Sequence, residues 1–225
     1  MTLGAINKVL LLPEEVTESK IFQSALTHRS AGQDNNERLE FLGDAVLGLV
    51  IANILFEKFP QASEGDLSRL RAHLVCKRAL AEMAKAVGLS EVLKLGSGER
   101  RTGGHYRSSI LADSLEAIIA AVYLIKGFEF AAEFVARLYT EQLQQLPEPN
   151  ELKDPKTRLQ EYLQARQVDV PDYEVIKEWG EGNDKCFLVK CEISALSKSS
   201  QGEGKSKKKA EQAAASEMLI QLNSQ

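Results

Sequence analysis

The hydrophobic period of this chain changes once, across Leu146-Pro147-Glu148-Pro149-Asn150. Before that point apolar residues recur every three or four positions, through residues 21–27, 37–59, 67–87, 111–125 and 130–146. That is the spacing of helices with one buried face. Two prolines among polar residues then read as a linker. Beyond it, helical spacing holds at 156–167 and 206–222. Residues 173–179 and 186–195 alternate or are β-rich, a turn-forming cluster fills 180–184, and a third strand is expected near 197–202. The expectation is an all-α unit over residues 1–146, a linker at 147–151, and a small α+β unit of order α-β-β-β-α over 152–225.

Local signals support the helices. Ser63 stands three residues before Asp66 in a capping pattern, and Ser108 or Ser109 can cap the helix that carries Asp113. Pro60, Gly88 and Gly127 read as stops.

Composition narrows the setting. Hydrophobic residues make up 44% of the 225, enough for a sizeable core without staples. The net charge of -4 excludes a bulk electrostatic case for nucleic acid, so local charge pattern must decide. Cys76, Cys186 and Cys191 form no C-x-x-C pair and read as reduced thiols of a cytoplasmic protein, not a zinc site. Val9-Leu10-Leu11-Leu12 is too short for a signal peptide, and the apolar stretch 45–56 is too short to span a bilayer. A soluble, intracellular protein with no membrane partner is expected.

The chemistry sits in two acidic segments. At 3.6 residues per turn, Glu37, Glu40 and Asp44 share one helical face, with Leu39, Leu42, Val46, Leu49 and Val50 opposite. The helix then continues apolar nearly all round, which predicts burial. Ala45 and Gly48 read as the small residues that let another helix approach. Neither Glu40 nor Asp44 has the i+4 lysine of a solubilising pattern. The second segment repeats this design, with Asp113 and Glu116 on one face beside Ala117 and Ala120. Leu111, Leu115, Ile118, Ile119 and Val122 face away.

Two such helices suggest that their acidic faces meet. Carboxylates brought together repel unless cations join them, and hard divalent ions suit oxygen ligands. Mg2+ is the default and Mn2+ a substitute. The alternative on spacing alone is two capped helices with partly solvated acids.

The nine residues Asn36 to Asp44 resemble the signature of bacterial ribonuclease III. Ala25-Leu26-Thr27-His28-Arg29-Ser30, Glu64-Gly65-Asp66-Leu67-Ser68-Arg69-Leu70-Arg71 and the run from Ser109 to Ile118 resemble the same family, in order and at matching spacing. The resemblance implies that Glu40, Asp44, Asp113 and Glu116 bind metal, with Asp44 and Glu116 the catalytic pair. It implies that Glu37 and Glu64 are supporting acids and that Phe41 packs into the partner of a homodimer. It further implies hydrolysis of double-stranded RNA to 5′-phosphate and 3′-hydroxyl ends, by staggered cuts. Ribosomal, messenger and other structured precursors are the implied substrates. Metal ions supply both water activation and leaving-group stabilisation, so no side-chain nucleophile and no small-molecule cofactor is needed.

Gly96 to Arg107 is Gly-rich and basic but lacks a Walker ending, and reads as a mobile connection. By resemblance Arg107 lies near RNA. His28, His73 and His105 are scattered and receive no catalytic role.

After the linker, Asp154 to Gln164, Pro171 to Val175 and Gly204 to Ala214 resemble the double-stranded RNA-binding domain. From Glu151 onward there are 12 basic and 13 acidic residues, so distribution decides. Lys205, Lys207, Lys208 and Lys209 gather at a helix N-terminus, where free N–H groups and the dipole favour phosphate. Gln160 and Glu161 can meet 2′-hydroxyls in the wide minor groove. Asn183 stands where the family usually has a loop histidine, which leaves that contact different or weaker. The competing readings are a non-catalytic double-stranded RNA-binding regulator and a small-nucleotide phosphohydrolase. Retention of all four acids opposes the first, and the C-terminal unit opposes the second.

Overall fold

The computed structural model describes residues 9–148 and 152–223, and of Asn183 only the backbone. The chain divides into two compact units, Met1–Pro149 and Asn150–Gln225.

Among the described residues the N-terminal unit is helical apart from an isolated bridge between Thr27 and Lys94: α1 (Glu14–Thr17), α2 (Lys20–Ala25), α3 (Glu37–Lys58), α4 (Glu64–Leu74), α5 (Lys77–Ala86), α6 (Ser97–Arg101), α7 (Ser108–Lys126), α8 (Phe128–Leu138) and α9 (Thr140–Gln144). Helix α7 is the centre. Its only charges are Asp113, Glu116 and Lys126, and it is buried from Ile110 to Val122 except at Asp113. A helix this apolar must be wrapped, and α3, α5, α8 and α2 do so. The α3–α7 contact is the most extensive between helices of this unit. Gly43 makes it possible: a Cβ there would lie 1.8 Å from the Glu116 carbonyl oxygen. A mid-helix glycine costs roughly 1 kcal/mol against alanine, and here close backbone packing offsets it.

Several sequence expectations are corrected. Ala45 is exposed and nothing approaches Gly48, so Gly43 is the residue that admits the neighbouring helix. Helix α3 is not buried all round: Phe41 is 80% exposed, Leu49 59% and Phe56 70%. Apolar periodicity reports which faces avoid water, not whether the same chain covers them. By length and composition α3 and α7 each reach what a bilayer crossing needs, longer than the 45–56 stretch suggested. Helix α7 is instead wrapped by its own unit, and α3 carries Glu37, Arg38, Glu40 and Asp44 in its first half.

The 67–87 run breaks at Val75 and Cys76, where Cys76 turns extended (φ -67°, ψ 149°) before α5. Both halves bury onto one core, so the period continues across the bend unseen. The last helical run breaks likewise at Tyr139, which is fully buried. Ser63 caps α4 as expected, accepting from the Asp66 N–H at 3.1 Å. Neither Ser108 nor Ser109 caps α7: both lie inside the helix, and Arg107 precedes it without a side-chain bond. The Gly96 to Arg107 connection is folded, with α6 and a short turn over Gly104–Tyr106. Arg107 pairs with Glu99 at 2.6 Å, and the Gly96 N–H donates to Ser30 Oγ at 3.0 Å.

The C-terminal unit is α+β: α10 (Pro155–Gln164), β1 (Asp172–Trp179), β2 (Cys186–Ile193), β3 (Lys198–Gly204) and α11 (Lys207–Asn223). The strands form an antiparallel sheet in the order β1-β2-β3. Along β2 the residues Phe187, Val189, Cys191 and Ile193 are buried in alternation, the pattern of a sheet with one covered face. Leu159 and Leu163 of α10 and Ala214, Ala215 and Met218 of α11 cover it. Gly202 lets β3 reach α11, since a Cβ there would lie 2.1 Å from the Ala214 nitrogen. Asp154 caps α10, accepting from the Lys156 and Thr157 N–H groups at 3.1 and 3.2 Å. This helix stops short of the expected residue 167, where the backbone turns left-handed (φ 57°). Strand β3 runs two residues further than expected.

Candidate active site

Close packing at Gly43 sets Glu40, one turn earlier on α3, against Asp113 and Glu116 of α7. Ligand oxygens of these three acids all lie within 4.8 Å of one another. Glu116 is the buried member, while Glu40 and Asp113 are half-buried and Asp44 is exposed. Burial pushes the Glu116 carboxyl up from its ordinary 4.5 to about 8, and the charges of Asp44, Asp113 and Glu40 add to it. Lys77 opposes them. Glu40 is raised too, by burial first and then by Asp113. A cluster that disfavours its own ionisation is one a cation would complete. Three carboxylates at this spacing, all oxygen donors, fit a hard divalent ion.

Other side chains hold the cluster. Asn36, 2% exposed, donates from Nδ2 to Ser114 Oγ at 3.3 Å, and that hydroxyl donates to the Ile110 carbonyl at 2.7 Å. This chain of bonds ties the start of α3 to α7. The buried Tyr139 phenol donates to the Leu74 carbonyl at 3.4 Å. Its ionisation is pushed up by burial and then by Glu116. Lys77 Nζ donates to Asp113 Oδ1 at 3.1 Å. Sequence reasoning missed Lys77, Ser114 and Tyr139 because no local spacing links them to the acids. Gly43 carried a detectable signal, as a glycine inside an otherwise apolar helix.

Glu40 and Asp113 open onto a cleft of about 580 Å³. Glu37, Glu40 and Asp113 line it together with His28, Arg29, Ser30, Arg107 and Ser109. Glu37 is exposed and pairs with Arg29 at 3.3 Å. Glu64 lies apart from the cluster: it accepts from Ser68 Oγ at 2.8 Å and lines a separate pocket with Phe56, Leu67 and Arg71. Phe41 borders a third cleft, of about 1030 Å³, with Ile21, Leu42 and Leu124.

In the C-terminal unit Gln160 and Glu161 are exposed on α10. Glu161 accepts from Lys153 Nζ at 2.7 Å. Lys205, Lys207, Lys208 and Lys209 are exposed around the start of α11, with the Lys207 ammonium 5.9 Å from the Phe187 ring centroid. The Asn183 side chain lies outside the described residues. Lys156, not singled out from sequence, donates to Glu211 at 2.7 Å and sits 4.2 Å over the Tyr173 ring centroid. It joins α10 to α11, the two helices that carry most of the candidate contacts.

Comparison with known proteins is consistent across both units. Residues 18–143 match the Ribonuclease-III-like family, and residues 155–222 match the double-stranded RNA binding motif. Ribonuclease 3 of Hahella chejuensis is 53% identical over 205 residues, covering 91% of this chain and 91% of its own. Ribonuclease 3 of Pseudomonas syringae pv. tomato is 54% identical over 198 residues, covering 88% and 86%. The ribonuclease III nuclease domain of Campylobacter jejuni, described for flexibility in a region involved in dimer formation, has a TM-score of 0.60 at 41% identity. It covers 64% of this chain and 99% of that one.

Proposed function

The chain belongs to the ribonuclease III family of double-strand-directed endoribonucleases, and from that premise we propose that Glu40, Asp44, Asp113 and Glu116 form its metal-binding catalytic site. The observation that carries this reading is the convergence of the Glu40, Asp113 and Glu116 oxygens within 4.8 Å, inside the matched unit. Asp44 and Glu116 are the proposed catalytic pair, and Glu37 and Glu64 the supporting acids. Mg2+ is the proposed ion, with Mn2+ able to replace it. When bound, such ions supply the acidity that activates water and the charge that stabilises the departing 3′ oxygen. The protein's part is to hold the acids ready. Glu116 keeps a proton at neutral pH in the metal-free fold, and must release it from its carboxyl to act as a ligand. The Asn36–Ser114 bond ties the start of α3 to α7, the two helices that carry the acids.

Residues 1–146 are proposed as the catalytic unit, 147–151 as linker and 152–225 as the RNA-binding unit. In the last, Gln160, Glu161, Asn183, Lys205, Lys207, Lys208 and Lys209 are the proposed contacts to A-form duplex. The apolar residues on α3 support a homodimer, in which Phe41 of one copy enters the cleft lined by Ile21 and Leu124 of the other. The products are 5′-phosphate and 3′-hydroxyl ends from staggered cuts, the substrates ribosomal and other structured precursors, and the setting the cytoplasm. The test is cleavage of a long RNA duplex, with its single strand alongside, in Mg2+ and in chelator. Metal-dependent shortening of the duplex alone, abolished by Glu116→Ala with RNA binding retained, is the expected result. Tight duplex binding without cleavage in either metal would instead establish a non-catalytic regulator.

A further inference from the structure

We propose that Lys77 is a resident counter-cation that competes with divalent metal for Asp113 and so lowers the metal affinity of this chain. The inference rests on the reading of Glu40, Asp113 and Glu116 as metal ligands. Lys77 is the first residue of α5, which packs against α7. Its ammonium lies 3.1 Å from Asp113 Oδ1. The Lys77 side chain is 66% exposed and that of Asp113 22%. The charges of Asp113, Glu40 and Glu116 all act on this one ammonium. Those three acids are also the ones whose oxygens cluster.

A divalent ion bound by Asp113 would sit about 2–2.6 Å from a carboxylate oxygen. Two cations that close to one carboxyl repel, so metal must either displace Lys77 from Asp113 or bind against its charge. Either way Lys77 occupies in the metal-free protein a position that metal must contest. Its stem is long and its head exposed, so displacement into water is cheap. An exposed ion pair is worth about 0.2–1 kcal/mol, which corresponds to a factor of roughly 1.4 to 5 in binding. The same weakness means that the fold does not depend on the pair.

The test is titration of the RNA-free, full-length protein with Mn2+ and with Mg2+, followed by calorimetry. Lys77→Met keeps the stem and removes the charge; Lys77→Arg keeps the charge. Lys126→Met removes an ammonium that pairs with Glu15 at 2.8 Å, outside the acid cluster. Lys77→Met is expected to bind both ions about two- to fivefold tighter than wild type, with Lys77→Arg and Lys126→Met close to wild type. Unchanged or weaker binding by Lys77→Met would overturn the proposal, as would an equal gain in Lys126→Met, which would reveal an effect of net charge alone. Absence of divalent binding by the wild-type protein would overturn the metal-site reading itself.

Discussion

Glu116 makes the metal-free protein sensitive to pH in a defined direction. Its carboxyl is pushed up from 4.5 to about 8 in the fold, so the folded state holds a proton that the unfolded chain has released. Below pH 4.5 both states are protonated and the group contributes no penalty. As pH rises toward 8 the penalty grows, and above 8 it is complete. The full shift corresponds to roughly 5 kcal/mol at about 1.36 kcal/mol per unit, and the high effective dielectric of protein sites reduces that to about 2–3 kcal/mol. Between pH 6 and pH 9 about half of this is expressed, or roughly 1–1.5 kcal/mol, equal to about 3–6 °C in melting temperature for a chain of this size. The assay is thermal unfolding in chelator, followed by far-ultraviolet circular dichroism. The single tryptophan, Trp179, lies in the other unit, and its fluorescence serves as an internal control. The circular-dichroism transition should fall with pH, recover with Mg2+, and lose most of its slope in Glu116→Gln, Glu40 keeping the remainder. A flat or rising transition, or equal slopes in wild type and variant, would refute the reasoning.

Three further outcomes are expected. Gly43→Ala drives a methyl into the Glu116 carbonyl, 1.8 Å away, and should cost about 3 kcal/mol in chemical denaturation; a loss within 0.5 kcal/mol, a typical surface effect, would contradict the close packing. Phe41→Ala removes an 80% exposed ring and should leave the fold of one chain intact while weakening self-association in sedimentation; an unaltered dimer would rule out the proposed insertion. Deleting residues 151–225 should weaken duplex binding and lower the salt concentration that cleavage tolerates, leaving activity at low salt and high metal. Full activity of the shortened chain at physiological salt would remove the RNA-binding role from that unit.

Features that depend on neighbours in sequence are legible in the sequence alone. The acid pairs at Glu40/Asp44 and Asp113/Glu116, the Ser63 cap and the single change of period all follow from spacing along one helix or strand. The same local logic misread what depends on packing. Ser108 looked like a cap, yet α7 begins at that residue. The run at 67–87 looked continuous, because α4 and α5 bury their apolar faces on one core despite the bend between them. Leu49 carried the same apolar signal as Val50, but only Val50 meets the rest of its own chain.

What the sequence determined by itself was the inventory: two apolar helices with acids at helical spacing, and a lysine-rich start to the last helix. Tertiary structure decided which of these meet. Gly43 brings the α3 backbone onto Glu116, and that contact gathers Glu40, Asp113 and Glu116 while leaving Glu64 elsewhere. Packing of α5 on α7 sets Lys77, from a third helix, against Asp113, 36 residues away along the chain. The physical reason is range. Periodicity records how each residue faces its own helix axis, whereas charge coupling and burial depend on distances between helices that no spacing encodes.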